Sequence, residues 1–272
     1  MAKFVASACS KPFGARIFVK SETSGKIILS AQGFEYKNVD DNSEMSYIGD
    51  FWIDEKYRGK EIMTQFPKNI ALFKNEVHSS MKASAFLNFK EITGNLNEYF
   101  DRYESIYDKN ELQLKPDVET GINLKKICQI PTKLLNAYDQ QIFPYHREHY
   151  FEKFLKQKDC FSRVALNSAG EVIGYGSIIN HNGSAIIQPL YADNADIARK
   201  IFCGILKEEN LDFQRLYLRT NEDIYTWIQP LLKDGVEARR NKHSVYRYSK
   251  EPPKGFDMNK CFAFASSKVC PI

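Results

Sequence analysis

One succession of predicted elements occurs twice in this chain of 272 residues, and it constrains the fold more than any other feature. Apolar residues alternate in the strand runs and recur every three or four residues in the helical runs. The first cycle has strands over 16–20, 26–30 and 45–53, a helix over 61–77, a strand over 83–89 and a helix over 96–107. The second has strands over 161–166, 172–179 and 184–190, a helix over 196–207, a strand over 215–219 and a helix over 223–233. The recurrence predicts two similar α/β (α+β) domains in tandem, each a mixed, mostly antiparallel sheet flanked by helices.

A polar stretch that begins at Pro116 makes the most favourable domain boundary. The length fits this division, because domains average roughly 150 residues. We expect a first domain over 1–118 and a second over 122–250, opened by helices over 131–138 and 144–156 and closed by a strand over 244–248. The tail over 251–272 is expected to be an appendage.

Composition excludes several classes of protein. Hydrophobic residues make up 43% of the chain and charged residues 26%, which is typical of a soluble globular protein. No apolar run reaches the roughly 18 residues of a membrane span, so we expect no membrane partner. The net charge of +4 is spread along the chain rather than clustered, which argues against a nucleic-acid partner.

Cysteine usage indicates a reducing compartment. The six cysteines form no CxxC pair, so a zinc ribbon is not expected, and no metal site is predicted. His146 and His149 are read as ordinary surface or core residues. The first residues lack the apolar core of a signal peptide, and a cytoplasmic location follows as the expectation.

The sharpest local motif runs from Phe51 to Ile62 and reads as strand, turn and helix. The first N–H groups of a helix have no partner within it, so a strand-to-helix turn can bind an anion. Arg58 and Lys60 add positive charge, and Gly59 allows close approach of the backbone. A pyrophosphate would suit this turn; a basic turn without a ligand is the alternative.

Residues Ile53–Met63 resemble the acyl-CoA motif of the GNAT acetyltransferase superfamily, in which Arg-Gly-x-Gly-x-Gly opens a helix. Arg58 and Gly59 match that motif, whereas Glu61 and Met63 stand at its two later glycines. The resemblance implies acetyl-CoA as co-substrate, with the pantetheine arm pairing with the strand before the turn, where the two central strands splay apart. The implied contacts are Phe51, Trp52, Ile53, Arg58, Gly59, Lys60, Glu61, Ile62 and Met63.

The second half is similar to the YitH/HolE-type acetyltransferase domain over roughly residues 122–250. The residues that carry this likeness are the run 137–143, Arg147, Phe151, the run 174–176, the run 189–193 and Ala198. The tandem arrangement is similar to a nematode-rich group of GNAT-like proteins. A second acyl-CoA site at Tyr191, Ala192, Asp193, Asn194 and Ala195 is an alternative, although we read Asp193 as a helix cap.

The resemblance implies that an amine of a small molecule or protein attacks the thioester directly, while an acid protonates the leaving thiolate. Tyr103 and Tyr107 lie four apart on the helix predicted over 96–107 and are the candidate acids; packing is the alternative role. About 15 residues precede the first hairpin, so we expect the first domain to lack the usual entry helices and to be N-terminally shortened. A homodimer is compatible with the sequence, as is a catalytically inactive module that binds CoA or a protein.

Overall fold

The computed structural model describes residues 2–7, 15–21, 23–58, 76–82, 97–113, 121–148, 151, 155, 159–221, 223–248 and 255–264. The strands are β1 (Ala2–Ser7), β2 (Ala15–Ser21), β3 (Ile27–Lys37), β4 (Glu44–Ile53), β5 (Glu76–Lys82), β6 (Asn97–Asp108), β7 (Asn123–Lys125), β8 (Cys160–Leu166), β9 (Val172–His181), β10 (Ser184–Ala192), β11 (Arg215–Thr220), β12 (Asn241–Tyr248) and β13 (Cys261–Ala263). The α-helices are α1 (Thr132–Asp139) and α2 (Ala195–Leu206). Short 3-10 helices cover Glu55–Tyr57, Lys109–Glu111, Ile127–Gln129, Tyr225–Leu231 and Met258–Lys260. In these ranges, no helix combines the length and the apolar character that crossing a membrane requires.

The chain divides into two compact units whose limits do not follow the predicted boundary near Pro116. Unit 1 contains Met1–Phe100, Ser244–Pro253 and Ser266–Ile272, and unit 2 contains Asp101–His243 and Lys254–Ala265. Each unit therefore includes a strand from the other half of the sequence. The described part of β12 from Ser244 belongs to unit 1, and β6 from Asp101 belongs to unit 2.

Unit 1 is built on a mostly antiparallel sheet. Strands β1 to β4 pair in sequence order, each antiparallel to the next. The pair β4–β5 is parallel, and β5 then pairs antiparallel with β12. The side chains that fill its described core are Ile28, Leu29, Ala31, Tyr36, Met45, Tyr47 and Ile53.

Unit 2 repeats this strand order. Strands β7 to β10 pair antiparallel, β10 and β11 pair parallel, and β11 pairs antiparallel with β6. Helix α2 packs on this sheet through Ile197, Ile201, Phe202 and Ile205, all buried. Burying side chains of this size stabilises the fold by about 1.5–3 kcal/mol each.

Two glycines of β9 allow helix α2 to lie close to the sheet. A Cβ atom on Gly174 would come within 2.8 Å of Ile201 Cδ1, and one on Gly176 within 3.1 Å of Ile201 Cγ2. The Ile201 side chain could rotate away, but the Tyr191 carbonyl oxygen of β10, which would lie 2.9 Å from a Cβ atom on Gly174, could not, so a larger residue at Gly174 would force the backbone to shift. The Gly174-Tyr175-Gly176 run noted in the sequence thus has a packing reason in this fold.

The predicted strands over 16–20, 26–30 and 45–53, and those over 161–190, are confirmed as β2 to β4 and β8 to β10. The helix predicted over 96–107 is wrong, because residues 97–108 form β6. The helix predicted over 61–77 is wrong at its end, where Glu76 and Val77 begin β5. The helix predicted over 223–233 is a shorter 3-10 helix, Tyr225–Leu231. The strand predicted over 83–89 lies outside the described residues. Of the helix predicted over 144–156, residues 144–147 are not helical, Glu148 and Phe151 are, and 149, 150, 152–154 and 156 lie outside the described residues.

Candidate functional site

Strand β4 leaves its parallel neighbour halfway along its length. It pairs with β5 from Met45 to Ile48 only, although β4 continues to Ile53. On its other side the register with β3 shifts by one residue, since Gln32 pairs with Gly49 and Ser30 with Trp52. Such a one-residue bulge bends a strand and increases its twist, which here carries β4 away from β5. We call the main chain of Gly49–Ile53 the open edge, because no described strand of unit 1 pairs with it on the β5 side.

A short turn follows the open edge, and its charged side chains are the acids Asp54 and Glu55 and the cations Lys56 and Arg58; we call it the Arg58 turn. The side chain of Asp54 accepts a hydrogen bond of 3.0 Å from the Lys56 N–H and so caps the 3-10 helix Glu55–Tyr57. The Asp54 N–H donates to the Ile28 carbonyl at 2.9 Å, which ties the turn to β3. The exposed Arg58 side chain reaches back, and its Nε donates to the Ile53 carbonyl at 3.3 Å. This contact leaves the terminal nitrogens of an exposed guanidinium beside the last residue of the open edge.

Several predicted contacts of this site are described and the others are not. Ile53 is buried, while Trp52 is 47% exposed and presents a flat aromatic surface next to the open edge. The main chain of Phe51 lies in the open edge. Gly59, Lys60, Glu61, Ile62 and Met63 lie outside the described residues, so their part in the site stays a prediction.

Strand β10 of unit 2 departs from its parallel neighbour in the same way. It pairs with β11 only from Ser184 to Ile186, and its register with β9 shifts between Ile187 and Leu190. Beyond that shift another strand takes the place of β11, since Leu190 pairs with Ala263 and Tyr191 with Cys261 of β13. We call Leu190–Ala192 the filled edge.

The strand that fills this edge comes from Gly255–Phe264, which we call the C-terminal segment. Its Phe264 N–H donates to the Arg219 carbonyl of β11 at 2.9 Å, so it is bonded to both splayed strands. The side chains of Cys261, Phe262, Ala263 and Phe264 are all buried. The expectation that the tail is an appendage is therefore wrong for these residues.

Acidic and amide side chains surround the start of helix α2. Asn194 is the N-cap, and its side chain accepts from the Ile197 N–H at 3.0 Å. The prediction that Asp193 caps this helix is wrong. Its carboxylate instead accepts from the Tyr138 hydroxyl at 3.1 Å and pairs with the Lys260 ammonium at 2.9 Å. Burial, followed by the nearby Asp193 charge, raises the pKa of Tyr138, which keeps the hydroxyl protonated as the donor.

The residues that carry the YitH/HolE-type resemblance come together in the interior of unit 2. Asp139 is fully buried and accepts from Arg147 Nε and from the Tyr175 hydroxyl, each at 2.5 Å. The Arg147 guanidinium also lies over the rings of Phe143, at 4.5 Å, and Tyr191, at 5.5 Å. We call these five residues the Asp139 cluster. Because they are buried and satisfy each other, the cluster stabilises the unit rather than meeting a ligand.

The structure places the two candidate acids on strand β6 of unit 2, not on a helix. Tyr107 is fully buried, and its hydroxyl accepts from the Arg239 N–H at 2.8 Å. Burial raises the pKa of Tyr107, and the hydrogen bond from the Arg239 N–H offsets part of this rise. Tyr103 is also buried, with the Arg240 guanidinium 5.6 Å from its ring centroid. These contacts favour the packing role, and the catalytic role stays a prediction.

A pocket of about 370 Å³ lies elsewhere in unit 2. Its lining includes Lys126, Cys160, Arg163 and Glu208, and none of its lining residues belongs to β10 or β11. Both cations pair with Glu208, so the pocket offers little uncompensated charge. Burial raises the pKa of Cys160 to about 11, which makes its thiol a poor nucleophile at neutral pH. In the described ranges, no group of three or more His, Cys, Asp or Glu side chains could hold a metal ion.

Comparison with family models divides the chain near its middle. Residues 135–258 match a family described as "Acetyltransferase (GNAT) domain". Residues 13–142 match a family described as "Protein of unknown function (DUF1248)". A search of curated protein sequences found no match.

Solved structures of acyltransferases share the fold of the chain. A candidate acetyltransferase from Pyrococcus horikoshii has a TM-score of 0.66 at 13% identity, with 95% of this chain and 80% of that chain covered. A GCN5-related N-acetyltransferase from Sphaerobacter thermophilus has a TM-score of 0.54 at 13% identity, with 90% and 83% covered. N-myristoyltransferase from Saccharomyces cerevisiae, with bound myristoyl-CoA, has a TM-score of 0.60 at 10% identity, with 97% and 77% covered. The mixed α/β fold with a mostly antiparallel sheet is thus that of GNAT-type acyltransferases.

Proposed function

We propose that this chain is an acyl-CoA-dependent N-acyltransferase that binds its acyl-CoA along the open edge of unit 1. The observation that carries the proposal is the departure of β4 from β5 after Ile48, which leaves the main chain of Gly49–Ile53 paired with β3 on one side and with no described strand of unit 1 on the other. Unpaired N–H and C=O groups on a strand edge suit an extended ligand that carries amides. The pantetheine arm of acyl-CoA is such a ligand.

Arg58 supplies a complementary charge. The Arg58 guanidinium lies at the end of the open edge, where it can donate to the diphosphate of an acyl-CoA. The half-exposed Trp52 ring gives an apolar wall beside the same edge. Two neighbours in fold, a GCN5-related N-acetyltransferase and an N-myristoyltransferase with bound myristoyl-CoA, support an acyl-CoA over another anionic ligand. The acceptor is an amine of a small molecule or of a protein.

In this proposal unit 2 is a second GNAT-like unit, so the chain is a tandem GNAT-like protein. Its proposed location is the cytoplasm. The repeated order of four antiparallel strands and one parallel strand supports the assignment. A second acyl-CoA site at Tyr191–Ala195 is disfavoured, because β13 pairs with the edge such a site would use.

One specific observation favours a second candidate function, a catalytically inactive module that binds CoA or a protein. Glu61 and Met63 stand where the acyl-CoA motif has glycines. Glu61 adds a negative charge to the loop that binds the phosphates in that motif. Such a module would keep the fold and the open edge without transferring an acyl group.

Calorimetric titration of acetyl-CoA and of CoA into the full chain tests both candidates. Binding by either ligand, together with release of free CoA thiol when a panel of amines is added, would support the acyltransferase. Binding without thiol release would favour the inactive module. The absence of heat and of any thermal shift at millimolar ligand would contradict acyl-CoA binding altogether.

A further inference from the structure

We infer that the gap between strands β10 and β11 of unit 2 is the binding site of the chain's own C-terminal segment and is not a second acyl-CoA site. The inference rests on the proposed function in one respect only, namely that unit 1 is taken to bind the acyl-CoA. Each unit has one strand that bulges and leaves its parallel partner, β4 in unit 1 and β10 in unit 2. In unit 2, β13 supplies the extended partner that an acyl-CoA would supply in unit 1.

The main chain of the C-terminal segment forms hydrogen bonds with β10 and β11 where these two strands separate. β13 pairs antiparallel with β10 at Leu190 and Tyr191, and the Phe264 N–H donates to the Arg219 carbonyl of β11. Farther back, the Asp257 N–H donates to the Ile142 carbonyl at 3.0 Å. An acyl-CoA could reach the β10 main chain only after β13 had left it.

Side chains of the same segment pack against unit 2 at two places. The Phe262 ring packs edge-on against Trp227 in the main core of unit 2, with ring centroids 6.1 Å apart. The Phe256 ring lies 4.9 Å from Phe143, a member of the Asp139 cluster. Displacement would therefore expose buried aromatic surface at both ends of the segment, which makes it a permanent part of the unit rather than a lid.

The charges at the start of helix α2 favour a peptide over a diphosphate. The described residues before its first turn carry the Asp193 carboxylate and the Asn194 cap, and Asp196 follows in that turn. The positive partner of Asp193 is Lys260, which belongs to the C-terminal segment itself. A diphosphate would meet carboxylates and a helix end that is already capped.

Hydrogen exchange on the full chain, with and without saturating acetyl-CoA, tests the inference. We expect slow exchange of the amides at 261–264 and 190–192 that acetyl-CoA does not change, with a binding stoichiometry of one. A variant Ala263→Arg puts a long cation at a fully buried position and should speed exchange at both sites by roughly tenfold or more, still with one acetyl-CoA per chain. The matched control Asn259→Arg changes an exposed residue of the same segment and should leave exchange at both sites unchanged.

Three outcomes would overturn the inference: fast exchange at 261–264 in the ligand-free chain, faster exchange there when acetyl-CoA binds, or two acetyl-CoA molecules per chain. If Ala263→Arg does not fold, the comparison of the unchanged chain with and without ligand still decides. Failure of the proposed function has a different signature. In that case acetyl-CoA would protect no segment, including 49–53, while 261–264 would remain slow.

Discussion

The ammonium of Lys260 lies 2.9 Å from the carboxylate of Asp193, immediately before helix α2. Lys260 also lies 5.7 Å from the centroid of the Tyr138 ring, whose hydroxyl donates to the same carboxylate. One residue of the C-terminal segment thus neutralises the acidic side chain at the helix start. In unit 1 the residue after β4 is also an aspartate, Asp54, but its carboxylate caps its own turn and the exposed Arg58 follows. This contrast is why we assign acyl-CoA to unit 1 and the chain's own segment to unit 2.

Replacing Arg58 by alanine should weaken acetyl-CoA binding by roughly tenfold to a hundredfold. A hydrogen bond to a charged group contributes about 1.5–3 kcal/mol, and about 1.4 kcal/mol corresponds to a factor of ten. Calorimetric titration measures the change. Lys26→Ala, which removes an exposed cation from the turn between β2 and β3, is the control and should bind as the unchanged chain does. Equal affinity of Arg58→Ala and the control would show that the ligand does not contact the Arg58 turn.

Replacing Tyr107 by phenylalanine should lower the free energy of unfolding by about 0.5–1.5 kcal/mol, because the partly buried Arg239 N–H would lose its acceptor. We expect little change in the rate of acyl transfer at temperatures where the variant is folded. If Tyr107 is the acid predicted from the sequence, the rate should instead fall by about 10²–10⁴-fold. Urea unfolding and thiol release measured on the same sample separate the two roles. Tyr217→Phe, on the neighbouring strand β11, is the control.

Replacing Asp139 by alanine should destabilise unit 2 by about 3–5 kcal/mol, since it leaves the buried Arg147 without its charge partner. Denaturant unfolding of the full chain gives this difference. Asp212→Ala is the matched control, because the Asp212–Lys109 pair is exposed and should contribute at most about 1 kcal/mol. Comparable losses for both variants would contradict the structural role of the Asp139 cluster.

The loss of folding stability at acidic pH should depend on Glu111. Its hydrogen bond with Arg239 holds the pKa of the Glu111 carboxyl below its ordinary value. A carboxyl whose pKa is lower in the folded state adds stability above its unfolded pKa and loses it as the pH falls through the folded pKa. Glu111→Gln should therefore reduce the loss of stability below about pH 4.3, the usual region for glutamate. Melting temperatures between pH 3 and pH 7 check this, with the exposed Glu35→Gln as control.

The strands that alternate plainly between apolar and polar residues could be predicted from sequence, and β6 could not. In β6 the inward side chains are Tyr103, Ser105 and Tyr107, with Ile106 outward and 37% exposed. A buried serine and an exposed isoleucine hide the alternation of a strand. The spacing of Phe100, Tyr103 and Tyr107 then imitates a helix. The residues of β6 do alternate between inward and outward positions, but Ser105 is polar at an inward position, where an apolar residue is expected.

The filled edge was beyond prediction for a different reason. β13 is three residues long, and its partners Leu190 and Tyr191 lie about 70 positions earlier. Nothing local in Cys261–Phe264 indicates which strand it will join. The position of the open edge was easier to predict, because the turn with Arg58 marks the end of β4 in the sequence. Its exact extent, Gly49–Ile53, depends on a bulge that leaves no residue signature.

The exchange of strands between the two halves of the chain bears on how the protein is made. As the polypeptide leaves the ribosome, β5 emerges more than 150 residues before Ser244–Tyr248, its antiparallel neighbour in unit 1. Domains that are contiguous in sequence can fold one after another during synthesis. Unit 1 cannot, because its sheet is completed only after Ser244–Tyr248 has been made, and that strand follows most of unit 2 in the sequence. Until then the nascent strand β5 has a free edge, and this interval is when the protein is most exposed to misassembly.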